Sequence, residues 1–448
     1  MSLIGKLLEC ERRNRPVRVG IIGAGKFGAM FIAQVPNTPG MDLVGIADFR
    51  PDNAIASLKR VGWNPEAYAA KSFEEALKNR TTFITDSWEA LVKRSEIDVI
   101  VECTGNPVAA VEHCLAAFKE GKHVVNVTVE ADAFCGALLG QRAKEAGVQY
   151  SLAFGDQPAL ICDWVDWARG CGFPVVAAGR GHKWLPRFSE STPETVWNDW
   201  GLTAEQARIG GLNPKMFNSF LDGSKPAIES TAVANACNLE SPENGLAFPT
   251  CSMDDLPYVM RPVADGGKLE KKGVVEVASC LQLDGTPIAN DIRNGVWVCI
   301  EGNSEYIRRC FQEYGVRTDD TGKYSAIFRR WHLIGLEVGI SVASVALRNE
   351  PTGSPICFNA DVVATAKRNL AAGEMLDGEG GYTVYGNIQP ARKSIESKCL
   401  PLGLAHNIKL TRSVGKGKSV TWNDVEADTS LSAYRIRREM EQLFFGEK

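Results

Sequence analysis

Val17-Arg-Val-Gly-Ile-Ile-Gly23-Ala-Gly25-Lys-Phe-Gly28 is the stretch on which the fold turns. Its first six residues, rich in Val and Ile, read as a buried strand. Gly23, Gly25 and Gly28 follow in Gly-x-Gly-x-x-Gly spacing, and helical periodicity continues to about residue 35. The first two glycines permit a tight turn and the close approach of a pyrophosphate. The third lets helix and strand pack closely, and the helix N-terminus offers free N–H groups to phosphate. A second strand is expected over residues 41–47. It ends at Asp48, 20 positions after Gly28. A carboxylate there can grip both ribose hydroxyls, which favours NAD. Arg50 can instead pair with a 2′-phosphate. Lys26 and Phe27 lie in the same turn as the glycines.

The pattern repeats downstream. A charged, helical stretch covers 51–94, and a strong strand is expected over 97–102. It is closed by Cys103-Thr-Gly-Asn-Pro107. A helix over 108–120, a strand over 123–127, a helix over 137–146 and a strand over 148–153 follow. This alternation predicts an α/β, Rossmann-type parallel sheet with helices on both faces, filling residues 1–155. Thr104, Gly105 and Asn106 fall at the carboxyl edge of that sheet and are expected to line the cofactor.

The chain has 448 residues, about three domains' worth at ~150 residues each. Apolar residues make up 44% and charged residues 23%, and the net charge is −4. No strongly basic region suggests nucleic acid as a partner. The most apolar run, 333–347, is interrupted by Glu337 and is too short and polar to span a membrane. The first residues lack a signal-peptide pattern. None of the 13 cysteines stands in Cys-x-x-Cys spacing, which fits reduced thiols and a cytoplasmic protein.

From 156 to 355 the texture changes, and a substrate and dimerisation domain is expected. Lys183, Lys215, Asp222, Lys225 and Glu229 crowd one region. If that stretch is helical, Asp222, Lys225 and Glu229 share a face. The segment Asn213-Pro-Lys-Met-Phe-Asn-Ser-Phe-Leu-Asp-Gly223 mixes aromatics, amides and glycine, unlike a solvated helix face. Lysines suit an anionic substrate, and a carboxylate beside a lysine suits proton transfer next to a carbonyl that receives hydride. His332 precedes an apolar helix. Glu337, inside that helix, needs a partner wherever it is buried. Pro351-Thr-Gly-Ser-Pro355 reads as a linker, and 356–448 as a small β-rich domain ending in a charged helix over 432–446.

Val19 to Gly28, Cys103 to Pro107, Glu130-Ala-Asp132 and Gly155-Asp-Gln-Pro158 resemble the homoserine dehydrogenase-like superfamily. Ala364-Thr-Ala-Lys-Arg-Asn-Leu-Ala-Ala-Gly-Glu374, Pro401-Leu-Gly-Leu404 and Val414-Gly-Lys-Gly-Lys-Ser-Val-Thr421 resemble a SAF domain. With Gly179-Arg-Gly-His-Lys-Trp-Leu-Pro186 between them, the whole is similar to the DXR-like reductoisomerases of 1-deoxy-D-xylulose 5-phosphate. Homoserine dehydrogenases carry a lysine in a VVTANK-like motif. The matching stretch here, Val124-Val-Asn-Val-Thr-Val-Glu130, has none, which disfavours homoserine oxidation.

The resemblance implies NADPH, a small phosphorylated substrate, a homodimer and a divalent cation, Mg²⁺ or Mn²⁺, whose ligands are unassigned. Asp222 and Glu229 supply oxygen of the right hardness for such a cation. Lys183, Lys215 and Lys225 are the expected phosphate and oxyanion contacts, and Asp222 and Glu229 the acid/base candidates. Two alternatives remain at this point: a dehydrogenase of another small hydroxy acid or sugar acid, and a nucleotide-sensing regulator.

Overall fold

In the computed structural model, which describes residues 2–209 and 212–446, the glycine motif stands at the carboxyl end of β1 (Val17–Ile22). Five strands join β1 in a parallel sheet: β2 (Met41–Ala47), β3 (Phe83–Thr85), β4 (Val99–Glu102), β5 (His123–Asn126) and β6 (Tyr150–Leu152). Their order is β3-β2-β1-β4-β5-β6, so the order of winding, not the strand direction, reverses between β1 and β4. This is the expected doubly wound α/β fold. Val19, Ile21, Val99, Val101 and Val125 are buried, as strands covered on both faces require.

Two elements differ from the sequence expectation. β3 has only three half-buried residues after a long charged stretch, too few to show a period. The helix expected from 137 begins at Val129, because its first turns are buried nearly all round and show no amphipathic stripe.

The chain forms two compact units, 1–160 with 333–356 and 161–332 with 357–448. The helix Gly339–Arg348 completes the first. Val342, Ala343 and Val345 pack into the core that holds Val19, Ile21 and Phe31.

The second unit is organised around the helix Ser224–Cys237. One neighbour is a mixed sheet of order β10-β9-β7-β8: β7 (Val175–His182), β8 (Val274–Ser279), β9 (Val296–Glu301) and β10 (Tyr324–Arg329). Then come β11 (Ala360–Ala366), β12 (Met375–Asp377), β13 (Val384–Pro390) and β14 (His406–Lys409), with β11 paired to β13 and β12 to β14. The helix packs on β7 and β8 as well as on β11 and β13. Its Ser, Ala and Thr residues keep the approach close: a Cβ on Gly386 of β13 would lie 3.2 Å from Ser224 Cα. The β-rich region after 356 therefore shares a core with 161–332. Asn235 strengthens the join, accepting the N–H groups of Asn359 and Ala360 at 2.9 and 3.0 Å.

A buried ion pair crosses the same join. Lys367 Nζ stands 2.8 Å from Asp222 Oδ2, and both side chains are almost wholly hidden. Lys367 also donates to the carbonyls of Ser191 and Gly381, each at 2.7 Å. Asp222 accepts the N–H groups of Ser224 at 2.9 Å and Gly380 at 3.2 Å. Burial pushes the Asp222 carboxyl above its ordinary range despite the opposing pull of Lys367. Such a pair fixes geometry more than it adds net stability.

Lys367→Met leaves that carboxylate buried without its counter-ion. Urea unfolding is expected to show a loss of about 3–5 kcal/mol, and Asp222→Asn on top of it should restore much of that loss. An unchanged midpoint in the single variant would contradict the assignment.

Candidate active site

The nucleotide end is built from backbone. Gly23 has φ +92°, and a Cβ there would lie 2.8 Å from the carbonyl of Cys103. The turns after β1 and β4 therefore touch at the point where the winding order reverses. A Cβ on Gly28 would lie 2.5 Å from Gly23 O, whereas one on Gly25 meets nothing within 4 Å. Gly28 is thus required for packing, and Gly25 leaves open space over the start of the helix Lys26–Gln34, a cradle that fits a dinucleotide pyrophosphate. Asp48 is tied down beside it: Oδ2 accepts the Ala24 N–H and Oδ1 the Arg50 N–H, both at 2.9 Å. The Arg50 side chain is exposed, as is that of Phe49.

Thr104, Gly105 and Asn106 lie at the carboxyl end of β4. Glu102, fully buried, holds them there by accepting Thr104 Oγ1 at 2.5 Å and also Thr128 Oγ1. Gly105, at φ +68°, donates its N–H to Thr128 Oγ1 at 3.0 Å. The Asn106 carboxamide oxygen caps the helix Pro107–Lys119 through Val108 N and Ala109 N, at 3.1 and 3.2 Å. What this turn offers a cofactor is chiefly shape and backbone.

Behind Thr128 sits a second buried network. Asp132 accepts from Tyr150 Oη at 2.6 Å and from Asn126 Nδ2 at 2.9 Å. Burial pushes its carboxyl up to about 8, against those two hydrogen bonds.

In the second unit the expected residues separate. Lys215 and Lys225 both bear on the turn after β12. Lys215 donates from Nζ to the carbonyl of Asp377, and both lysines act electrostatically on Glu379. Glu379 sits in the turn Asp377-Gly-Glu-Gly-Gly381, with His406 Nε2 3.4 Å from its Oε2. Burial pushes the Glu379 carboxyl up, but His406, Lys225 and Lys215 together hold it below its ordinary range. Sequence reasoning missed Glu379 and His406. The available signal was the density of glycine around one glutamate. Gly378 and Gly380 have φ of +73° and +68°, and a Cβ on either would lie 2.1 Å from the His406 ring or 2.0 Å from Lys215 O.

Lys183 lies elsewhere. It donates to the carbonyl of Asp199, and burial, then Arg293, lower its pKa.

The expectation that Asp222, Lys225 and Glu229 share a helix face fails at Gly223. With φ +88°, Gly223 separates the helix Pro214–Leu221 from Ser224–Cys237 and leaves Asp222 outside the second helix. Asp222 is held by Lys367, and Glu229 is buried against Arg180 of β7. Gly179 and Gly181 explain that motif. A Cβ on either would collide with Glu276 O or Ile292 O, at 1.7 and 1.9 Å. The alternate residues, Arg180 and His182, meet Glu229 and Phe220 O.

His332 Nδ1 pairs with Asn294 O at 2.8 Å, and Glu337 Oε1 accepts the Leu333 N–H at 3.2 Å. Among the described residues no three His, Cys, Asp or Glu side chains gather into a metal-binding group. Asp222 and Glu229, both engaged by cations, do not fit the expected Mg²⁺ or Mn²⁺.

Residues 17–126 match the family "Oxidoreductase family, NAD-binding Rossmann fold", and residues 155–338 match "Oxidoreductase DRL, catalytic domain". The chain is an NAD(P)-dependent oxidoreductase. No curated protein matches this oxidoreductase in sequence. Among solved structures, a probable dehydrogenase from Thermotoga maritima is 12% identical, with TM-score 0.36 over 75% of this chain and 90% of that chain. DOX-P reductoisomerase with fosmidomycin and magnesium is 15% identical, with TM-score 0.35 over 50% and 58%. The myo-inositol dehydrogenase from Lactobacillus casei with NAD(H) and myo-inositol is 16% identical, with TM-score 0.27 over 41% and 50%. The chain spans 58% and 50% of the length of the last two. Among the described residues no helix is long and apolar enough to cross a membrane.

Gly25→Val in the oxidoreductase should leave stability within ~0.5 kcal/mol of wild type. It should weaken NAD(P)H binding at least about tenfold, whereas Gly28→Val should impair folding. Full cofactor affinity in Gly25→Val, measured by fluorescence titration, would place the dinucleotide elsewhere.

Asp132 makes stability depend on pH. Its folded pKa of about 8 lies above the ordinary aspartate value near ~3.9, so the native state binds the extra proton between them. Stability should fall as pH rises through that window, by at most ~1.4 kcal/mol per unit, and Asp132→Asn should flatten the slope. Urea unfolding at pH 5 and pH 8 that falls equally in both proteins would contradict this.

Proposed function

We propose that the oxidoreductase is an NADPH-dependent reductoisomerase that converts 1-deoxy-D-xylulose 5-phosphate to 2-C-methyl-D-erythritol 4-phosphate. The observation that carries this reading is that two lysines, Lys215 and Lys225, act on one turn glutamate, Glu379, with Lys215 Nζ bound to the Asp377 carbonyl of the same turn, positive charge suited to a phosphorylated substrate. The match of 155–338 to the DRL catalytic domain lies over the region of the resemblance and supports it.

The carbon skeleton would rearrange first, by retro-aldol and aldol steps or an α-ketol shift, and the resulting aldehyde would then be reduced. The nicotinamide cofactor, when bound, supplies the hydride. The chain's own part is to hold the substrate anion at Lys215 and Lys225 and to stabilise negative charge on the reacting oxygens. Asp222 and Glu229 take no proton-transfer role in this reading. They hold the turn at Gly380 and the strand β7 through Lys367 and Arg180.

Those engaged carboxylates favour a second reading, a dehydrogenase of another small hydroxy acid or sugar acid, for which hydride transfer needs no cation. NADPH oxidation that depends on 1-deoxy-D-xylulose 5-phosphate, with the branched product identified by NMR, is expected under the first reading. Turnover only with hydroxy acids or sugar acids would establish the second.

Arg50 supports NADPH over NADH. It is exposed beside Asp48, whose carboxylate is already turned onto Ala24 and Arg50 N–H groups. Arg50→Ala should lower kcat/KM with NADPH by about ten- to a hundredfold, the scale of one charge-assisted contact, and leave NADH nearly unchanged. Equal use of both cofactors by wild type, unaltered by the substitution, would refute the preference.

A further inference from the structure

Two helices of the second unit, one entering it and one at its centre, bring a pair of thiols together. Cys162 lies on the helix Gln157–Gly170, and Cys237 is the last residue of the helix Ser224–Cys237. Their sulfurs stand 3.4 Å apart, although 75 positions separate the residues in sequence. Both residues belong to the second unit. Cys237 is buried, whereas Cys162 is only partly covered.

The surroundings hold the pair in place. Asn238, at φ +49°, ends the central helix and donates its N–H to the Ala234 carbonyl. Arg169, two turns along the first helix from Cys162, donates from its guanidinium to the Cys237 carbonyl, so a cation covers the negative end of the central helix. A third thiol, Cys357, lies at the same turn but is committed elsewhere. Its Sγ donates to the Asn235 carbonyl at 3.3 Å, and its backbone N–H donates to the same oxygen at 3.2 Å. Burial pushes the Cys357 thiol up to about 11, so it stays protonated and keeps that bond. Cys162 is thus the sulfur that faces Cys237.

Cysteines sealed in a core act as small apolar residues. This pair differs because its outer member is partly open to solvent, and its inner member is within reach of the outer. A disulfide needs sulfurs about 2.05 Å apart, a short step from the observed contact.

We propose that Cys162 and Cys237 are a reversible disulfide site, at which Cys162 reacts first with a low-molecular-weight disulfide and Cys237 resolves it. The Cys162 thiolate attacks one sulfur of the small disulfide, forms an S–S bond to it and releases one thiolate. The Cys237 sulfur, after losing its proton, attacks the Cys162 sulfur and releases the second. Two protein thiols are oxidised to one disulfide, and the small disulfide is reduced to two thiols that take up the two protons. In a reducing compartment the pair rests as thiols and closes when such an oxidant accumulates. Closure staples the helix Gln157–Gly170 to the end of the central helix. Nothing in this inference depends on the identity of the substrate.

The full chain is incubated with oxidised glutathione, digested without reductant and mapped by mass spectrometry. The expected product is a peptide pair joined through Cys162 and Cys237, which dithiothreitol separates. Cys171, which is exposed, shows by its own glutathione adduct that the reagent has reacted. Cys237→Ser should hold a lasting glutathione adduct at Cys162, and Cys162→Ser should leave Cys237 unmodified. A lasting adduct at Cys162 in wild type, a link through Cys357, or an unmodified Cys162 beside a labelled Cys171 would each overturn the proposal. Should Cys237→Ser not fold, Cys237→Ala carries the same comparison.

The Asn238 amide reports on the last turn of the central helix. Its hydrogen exchange should be at least about tenfold slower in the oxidised chain than in the reduced one, and Cys162→Ser should abolish the difference. Equal exchange in the two forms of wild type would contradict the staple.

Discussion

Lys367 reaches three separate segments at once: the carbonyl of Ser191, the carboxylate of Asp222 and the carbonyl of Gly381. Each contact is buried, and each would be costly to leave half made. A cation that cannot be hydrated and an anion that cannot be hydrated must find each other. The chain can therefore close its second unit only with the β-rich C-terminal region seated on the turn between the helices Pro214–Leu221 and Ser224–Cys237. That seating brings the turn holding Glu379 against Lys215, whose Nζ bonds the Asp377 carbonyl. The pair returns little net stability, since burial keeps the Asp222 carboxyl raised even beside an ammonium. Its value lies in register.

The two units use glycine differently. In the first, the ligand-facing surface is mostly main chain: the glycine turn, the helix start it leads into, and Gly105 held by Thr128. Side chains there, such as Asp48, Glu102 and Asn106, mainly brace backbone, and substitutions of glycine reach the cofactor more directly than substitutions of charge. In the second unit, glycine makes room for side chains. Gly179 and Gly181 let β7 approach its neighbours so that Arg180 and His182 turn toward Glu229 and Phe220. Gly378 does the same for the His406 ring.

This contrast accounts for what could be read from the sequence. The parallel sheet was legible because its logic is local: a strand, three glycines, a helix and an acidic residue at fixed spacing, repeated down the chain. β3 escaped because three residues carry no period. In the second unit, Lys215 and Lys225 stood out by their neighbourhood, and both act electrostatically on Glu379. Asp222 and Glu229 stood out for the same reason, yet their partners, Lys367 and Arg180, are remote in sequence and give no local sign. Glu379 and His406 are invisible to periodicity, because a turn and the first residue of a short strand have none. Only the glycines at 378, 380 and 381 hinted that something close-packed sits there.

The turn 377–381 and the helix Ser224–Cys237 behave as one cooperative piece, locked by Asp222 and Lys367. Native-state hydrogen exchange of the wild-type full chain tests this most directly, because the Gly380 N–H is bonded to Asp222 itself. The Gly380 amide and the amides of the central helix should open with the same free energy and the same denaturant dependence. Exchange at Gly380 through a local opening several kcal/mol cheaper than that of the helix would show that the turn is merely resting on the site, and would contradict the account.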